Sequence, residues 1–517
     1  MRWLGALAVL GACGGNQPAP TTGEVSLVLD LPDGMLDPQG YTTVDLVLHE
    51  PGGDIEKSAT LTSTGFDFGR IDPSASVSIE ATLRNESGAA VGYGRTAVAT
   101  ALVRGAEIVV PIRRPIAYLA GTVSVDADGD AETPGLHWID APATISDLTL
   151  GGNLDGSRLI SGPAVMMIAA GPALYRISQA TSDPLGALVG PASVAPVSTV
   201  DHAVGAALAG TLSGGVLDGA GADDGSVLVI GTTTALYAFD TAAGTARPLA
   251  AGSFARVAIV ASEEGELTAI ALKDRGQAGD PCSATAELWW APLAVNGGPA
   301  HRVAAGAFSD VAADRGHAYY VDACKNELGE VTASAARTLR GLGLAGIGKP
   351  TALAVSNGQA YVGIETAPAT TTLIVASAGS NDLPRTLWSE RAQQVLEASD
   401  FPGVLRQLDP TSAVFQHLEV GAGGDYVALT TSAHFHSDAV TKANIPEMTI
   451  DTEELRVFDA TTGGAVVRYR SWCDGEFLFV PTDIDSWGCA STAGQTEAAD
   501  GSLEHHIQSM TFQFGKK

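Results

Sequence analysis

Cysteine supplies the clearest reactive chemistry in this sequence, and one cysteine stands apart from the other four. Cys13 ends an N-terminal segment in which Arg2 precedes about ten apolar residues, the pattern of an export signal. This segment is far shorter than the roughly 20 apolar residues that span a bilayer. The residues therefore predict export from the cytoplasm, and an incidental cysteine in an ordinary secretory signal is the alternative to a modified Cys13.

Four cysteines remain for the folded part of the chain: Cys282, Cys324, Cys473 and Cys489. An even number of cysteines in an exported protein indicates disulfides, and four cysteines can pair in three ways. Proximity along the chain favours Cys282 with Cys324 and Cys473 with Cys489. Each bond would stabilise the fold by roughly 3–4 kcal/mol. A metal site is the weaker interpretation, because no Cys-x-x-Cys spacing occurs.

His434 and His436 flank Phe435 and could hold a metal ion. Side chains alternate along a strand, so the two imidazoles would lie on the same side. Two histidines at this spacing can ligate zinc or copper, but a third ligand must come from elsewhere in the fold. The alternative is a pair of polar histidines near the end of a strand.

Asp126, Asp128 and Asp130 form a compact acidic loop with hard oxygen ligands at alternate positions. The loop resembles half of an Asp-x-Asp-x-Asp-Gly calcium loop, and that resemblance implies Ca²⁺. However, Gly129 falls one position early and no bidentate glutamate stands at loop position twelve. A solvated acidic turn at a domain junction is the alternative, so the sequence establishes no cofactor.

Charge and missing motifs exclude several function classes. The net charge of −29 repels polyanions, which excludes nucleic acid as a partner and disfavours docking to anionic lipid headgroups. The sequence has no Gly-x-Ser-x-Gly elbow, no His-Glu-x-x-His motif, no P-loop and no dinucleotide fingerprint. A catalytic site assembled from scattered single residues remains open.

These candidate residues need elements to position them, and the first elements are short strands between residues 24 and 115. Alternating apolar patterns at 25–29, 44–48, 77–81 and 108–112 predict strands. About seven strands in so short a stretch are typical of a small β-sandwich. The segment resembles immunoglobulin-like or carboxypeptidase-regulatory-like domains, which implies a spacer near a membrane.

From 116 to 517 the chain carries weak internal repeats. Residues 308–322 align with 350–364, and both stretches indicate a strand, a glycine turn and a second strand. The second half of the same unit recurs at 235–249 and 454–468, and segments 174–178 and 288–292 begin such a half-unit. A four-stranded unit that repeats every ~40–60 residues is typical of a β-propeller.

The recurring hairpin, leucine–aromatic–x–apolar–Asp with a later Gly, resembles the YVTN/NHL/quinoprotein-like propellers. That resemblance implies an all-β fold with about seven blades, six or eight being the alternatives. Residues 506–514 would close the ring against 116–125. Residues 389–398 predict a helix inside an insertion near 385–408. Cys282 and Cys324 would each lie between the second and third strands of neighbouring blades, on one face.

Leu10, Gly11 and Ala12 before Cys13 resemble the lipobox of bacterial lipoproteins. The resemblance implies a signal peptide at 1–12, a diacylglyceryl group on Cys13 and a tether at 13–23. In that family, the residue after the cysteine affects sorting, and Gly14 favours the outer membrane. The expected location is therefore the cell envelope. We expect a non-enzymatic binding or scaffold lipoprotein that presents a propeller to a protein or glycan. The alternative is a propeller enzyme of hydrolase, lyase or lactonase type, with Ca²⁺.

Overall fold

The computed structural model describes the strands between residues 24 and 140, most of 160–472, and the strand at 503–515. Residues 1–23, 141–159, 473–502 and several shorter connections lie outside the described residues, among them 126–129, 275–281, 398–407 and 438–447. Packing contacts divide the chain into two compact units. One comprises 1–116, 199–201 and 514–517, and the other comprises 117–198 and 202–513.

The first unit is built from short strands around one apolar core. Its strands are β1 (Glu24–Asp30), β2 (Thr43–Glu50), β3 (Gly53–Thr60), β4 (Phe66–Asp67), β5 (Ser76–Arg84), β6 (Ala90–Arg95), β7 (Thr100–Ala101) and the beginning of β8 (Glu107–Val125). The order β3-β2-β5-β6-β8 forms the main sheet, β1 pairs with β8 and β4, and β7 pairs with β5. Strands β5 and β8 thus change partners along their lengths, as strands shared by the two sheets of a sandwich do. The predicted strands are confirmed.

Alternation along these strands explains the core of the first unit. Leu46 lies opposite Ala81, Leu48 lies opposite Ile79, and all four side chains are buried. Residues 108, 110 and 112 of β8 join the same cluster. Side chains at the positions between them point away from the core, because successive residues of a strand face opposite sides.

The described residues of the second unit form six four-stranded antiparallel sheets, each with its strands in chain order. They are β11 (Met166–Ala170), β12 (Ala173–Thr181), β13 (Leu188–Val197) and β14 (Thr211–Leu212); β15 (Val216–Gly221), β16 (Val227–Thr232), β17 (Ala235–Asp240) and β18 (Thr245–Ala251); β19 (Phe254–Ala261), β20 (Leu267–Lys273), β21 (Ala286–Pro292) and β22 (His301–Gly306); β23 (Phe308–Asp314), β24 (His317–Asp322), β25 (Glu327–Val331) and β26 (Ala336–Gly341); β27 (Lys349–Ser356), β28 (Gln359–Thr366), β29 (Thr370–Ser377) and β30 (Arg385–Arg391); and β31 (Asp409–Gly421), β32 (Tyr426–Ser437), β33 (Met448–Asp459) and β34 (Ala465–Trp472).

These sheets are the blades of a β-propeller, because the first strand of each sheet packs on the first strand of the next, from β11 through β15, β19, β23 and β27 to β31. An apolar cluster fills each of these interfaces. The sheets approach closely: a Cβ on Gly231 would lie 2.3 Å from the carbonyl oxygen of Phe254 in the next sheet. The all-β propeller expected from the sequence is confirmed.

The C-terminal strand β35 (Leu503–Gly515) pairs with β8, as the sequence predicts. Strand β8 also pairs with β9 (Asp130–Asp140), which pairs with β10 (Ile160–Ser161). Hydrogen bonds connect β35 to β31 on one side and to β11 on the other. Strand β35 therefore lies between β31, the first strand of the last sheet, and β11, the first strand of the first sheet.

Two details of the sequence interpretation are wrong. Segment 174–178 belongs to β12, the second strand of its sheet, and not to a third strand. Residues 389–391 belong to β30, where Ser389 lies opposite Thr372, and the helix α1 begins only at Ala392 and ends at Glu397. Hydrogen-bonded pairing of these residues with β29 outweighs their local helix propensity. No helix among the described residues is long and apolar enough to cross a membrane.

Candidate functional site

One face of the propeller collects two kinds of connection. Successive strands of a blade are antiparallel, so the connection between the second and third strands leaves the same end as the connection to the next blade. Cys282 lies between β20 and β21, and Cys324 lies between β24 and β25, as predicted. We call this end of the blades the disulfide face.

Cys282 and Cys324 give the disulfide face its covalent link. Their Sγ atoms lie 2.10 Å apart and their Cα atoms 5.1 Å apart, and both residues are exposed. The bond joins corresponding connections of two neighbouring blades. Cys473 and Cys489 lie outside the described residues, so their predicted pairing stays a prediction.

The turn that carries Cys324 is fixed by a buried carboxylate. Asp322 is only 1% exposed, and its Oδ1 accepts the backbone N–H of Cys324 at 3.0 Å and that of Lys325 at 2.9 Å. The Lys325 ammonium lies 3.4 Å from Oδ2 of the same carboxylate. Asn326 completes the turn with a φ of 54°, a left-handed conformation that asparagine tolerates better than most residues. Local hydrogen bonding therefore holds Cys324 in place independently of the disulfide.

A second polar feature lies between the last two four-stranded sheets. Arg456 is buried between Glu390 and Glu454, with its Nη2 2.6 Å from Oε2 of Glu454, and its guanidinium stacks 4.8 Å from the ring centroid of Trp388. A small crevice, with room for about one water molecule, lies beside this cluster, and Ala392 of α1 lines it. Helix α1 lies in a connection between blades and so belongs to the disulfide face.

His434 and His436 lie on β32, on the opposite side of the strand from the fully buried Phe435, as predicted. They stand opposite Asp451 and Thr449 on β33. Within the described residues, no group of three or more His, Cys, Asp or Glu side chains is arranged to hold a metal ion. The third ligand that this site requires is therefore not found in the described part of the chain, and the metal site stays a prediction.

The acidic loop is described only at its end. Asp126 and Asp128 lie outside the described residues, and Asp130 is the first residue of β9. The predicted calcium site is therefore untested.

The sequence analysis missed a set of polar side chains that join neighbouring blades, most of them on first strands or β35 and one, Glu365, on the second strand β28. Each side chain accepts a hydrogen bond from a backbone N–H of an adjacent blade. This bond replaces the hydrogen bond to water that the N–H group loses on burial. The pairs are Asp218 with Val257 at 2.7 Å, Asp310 with Leu353 at 2.8 Å, Glu365 with Phe415 at 2.9 Å, Glu419 with Phe512 at 3.3 Å, and Ser509 with Met167 at 2.8 Å.

Burial raises the pKa of two of these carboxyls. The pKa of Asp218 rises to about 6, chiefly by desolvation, although the Arg256 guanidinium opposes the rise. The pKa of Glu419 rises to about 7 for the same reason, and repulsion from Asp218 adds to it. Asp218 and Glu419 thus lie near enough to interact, although β15 and β31 do not pack on each other as neighbours in the row of first strands.

The chemistry available to these carboxyls is limited by their partners. Asp310 accepts two backbone N–H groups and lies 3.4 Å from Nε of Arg256, while Glu419 accepts an N–H and the hydroxyl of Thr511. A group that already holds the main chain of a neighbouring blade is poorly placed to accept a proton from a substrate. These residues serve the integrity of the ring.

Comparison with known proteins adds little to this topology. No protein-family model matches the chain, and no curated protein is similar to it in sequence. Among solved structures, TolB from Acinetobacter baumannii is 10% identical, with a TM-score of 0.34 over 78% of this chain and 79% of its own. The propeller domain of the Trilobed protease from Pyrococcus furiosus is 10% identical, with a TM-score of 0.35 over 65% of this chain and 91% of its own. The propeller assignment rests on the strand order of the chain itself.

Proposed function

We propose that this chain is a lipid-anchored β-propeller that recognises a protein or glycan partner through its disulfide face without performing chemistry on it. The observation that carries the proposal is the cross-link between corresponding connections of two neighbouring blades. A surface that is rigid before binding loses less conformational entropy when its partner arrives. Loops held on a rigid scaffold are also where binding residues concentrate.

The central carboxyls support binding over catalysis. A propeller enzyme would bring acids and histidines together near the middle of the ring with their proton-accepting atoms free to meet a substrate. In the described part of the chain, Asp218, Asp310 and Glu419 are engaged with neighbouring blades, and the histidines at 434 and 436 lie on the second strand of their blade.

The anchor and the spacer complete the proposed arrangement. Lipid on Cys13 would tether the chain to the cell envelope, with the outer membrane as the expected location, and the unit at 24–115 would act as the spacer. Strands β35, β8, β9 and β10 would form a seventh blade. Such a blade would close the ring and leave no first strand without a neighbour.

Photo-crosslinking in intact cells tests the binding face. A photoreactive amino acid replaces Lys325, an exposed residue of the disulfide face, or Ser334, an exposed residue in the connection between β25 and β26 at the opposite end of the same blade. We expect a discrete adduct from position 325 and none from position 334. Protease sensitivity of the added mass identifies a protein, and periodate sensitivity identifies a glycan. Equal adducts at both positions would refute the face assignment.

A further inference from the structure

Arg176, on the second strand of the first four-stranded sheet, has a guanidinium without a counterion among the residues that the structure describes. Its Nε and Nη1 atoms are buried and have no hydrogen-bond partner, and no acidic side chain pairs with it in the described part of the chain. Burial lowers the pKa of Arg176 below its ordinary value, and desolvation is the only cause. An arginine nevertheless stays protonated in a protein, so this group is a partly buried positive charge.

Ser178 lies two residues further along β12 and therefore points to the same side of the strand as Arg176. Its Oγ is also buried without a hydrogen-bond partner. Ser178 stands opposite Ser193 on β13, while Arg176 stands between Met167 and Ala195 on the two flanking strands. The donors thus lie in largely apolar surroundings, where the attraction between a cation and an anion is stronger than in water.

Leaving these donors unpaired is costly. A buried hydrogen-bonding group without a partner costs about 1–3 kcal/mol, and charged groups cost more. Native structures keep few such groups, and an unseen ion or water is a common reason for them. The adjacent residue Gln179 shows the contrast, because its amide is fully used by Gly190, Gly214 and Val216.

We propose that Arg176 and Ser178 form a binding site for a small oxyanion, a carboxylate or a phosphate group. Each edge of a guanidinium that can hold an oxyanion by two hydrogen bonds includes Nε or Nη1, and the Ser178 hydroxyl donates a third bond. A water molecule could accept the hydrogen bonds but would not neutralise the charge. The Arg176 side chain is partly accessible as a whole, but its Nε and Nη1 atoms are closed to solvent, so an anion reaches them when neighbouring side chains shift.

Isothermal titration of the full-length mature protein with sodium phosphate and, separately, sodium acetate tests the site. We expect one anion to bind per chain. The anion that binds with the higher affinity, phosphate or acetate, identifies the oxyanion class. Arg176→Gln should weaken binding at least about tenfold, and Ser178→Ala should weaken it less, since a charge-assisted fork is stronger than one neutral bond. Arg302→Gln is the matched control, because Arg302 is an exposed arginine of the same propeller that pairs with Glu287.

The outcomes separate the proposal from its alternatives. Absence of binding to both anions, or equal affinity in wild type and Arg176→Gln, would overturn it. If Arg176→Gln does not fold, Arg176→Lys keeps the positive charge, removes the fork and should still weaken binding. Crystals soaked in selenate provide an independent readout: an anomalous peak beside Arg176 supports the site, and water density alone at that position contradicts it.

Discussion

Glu419 makes the stability of the ring depend on pH. It holds β35 by accepting the backbone N–H of Phe512 and the hydroxyl of Thr511, and burial raises its pKa from 4.5 to about 7. A raised carboxyl pKa means that the folded state binds the proton more tightly than the unfolded state. The contribution of Glu419 is therefore most favourable below pH 4.5 and is lost as the pH rises towards 7.

The size of this effect follows from the pKa change. Each pKa unit corresponds to about 1.36 kcal/mol, so the ionised Glu419 carboxylate reduces the free energy of unfolding by up to about 3 kcal/mol above pH 7. Glu419→Gln keeps an oxygen that can accept from Phe512 and Thr511, and it carries no charge. We expect this variant to be up to about 3 kcal/mol more stable than the wild type at pH 8 and equal to it at pH 4.5.

Calorimetric unfolding of both proteins at pH 4.5 and pH 8 provides the measurement. Glu264→Gln is the control, because Glu264 is exposed in a connection of the same propeller and should leave the unfolding temperature unchanged at either pH. If Glu419→Gln is less stable than the wild type at pH 8, the ring requires the ionised carboxylate, and the assignment of desolvation as the dominant cause is wrong.

Three further predictions concern a contact between blades, the disulfide and the proposed anchor. Gly231→Ala should destabilise the propeller by roughly 1–3 kcal/mol, because the new Cβ meets the next blade, whereas Gly341→Ala, with open space around it, should be nearly neutral in thermal unfolding. Replacing Cys282 and Cys324 by serine frees a loop of 42 residues and should cost up to about 4 kcal/mol, and the same loss on reduction of the wild type checks it. Mass spectrometry of membrane-extracted protein should find the mature chain beginning at a lipid-modified Cys13, and an unmodified Cys13 peptide would rule out the anchor.

Local sequence patterns predicted much of the fold. The alignment of 308–322 with 350–364 identified the first two strands of two blades, and the segments at 235–249 and 454–468 are the last two strands of two others. The same hairpin logic placed Cys282 and Cys324 in equivalent connections. Segment 174–178 was misplaced, because second and third strands of a blade are both buried on two sides and carry similar apolar patterns.

The role of the central carboxyls in joining blades could not be predicted, since it depends on contacts between distant parts of the chain. Asp218 and Glu419 each look like an ordinary acid within a strand, and only the packing of neighbouring blades gives them amide partners. The helix near 392 was displaced for a related reason. Ser389 pairs with Thr372 in the sheet, a constraint that the helix-favouring composition of the segment does not reveal.

The affinity of the cross-linked partner for the disulfide face is the most direct test of the proposed function. Wild type and the Cys282→Ser, Cys324→Ser double variant are compared at a temperature where both are folded, together with Ser334→Ala at the opposite end of the blade. We expect at least about tenfold weaker binding by the double variant, since the connection at position 282 is no longer linked to the fixed turn at 322–326 and must be ordered on binding. We expect unchanged binding by Ser334→Ala. Equal affinity of all three proteins would contradict a preorganised binding surface at this face.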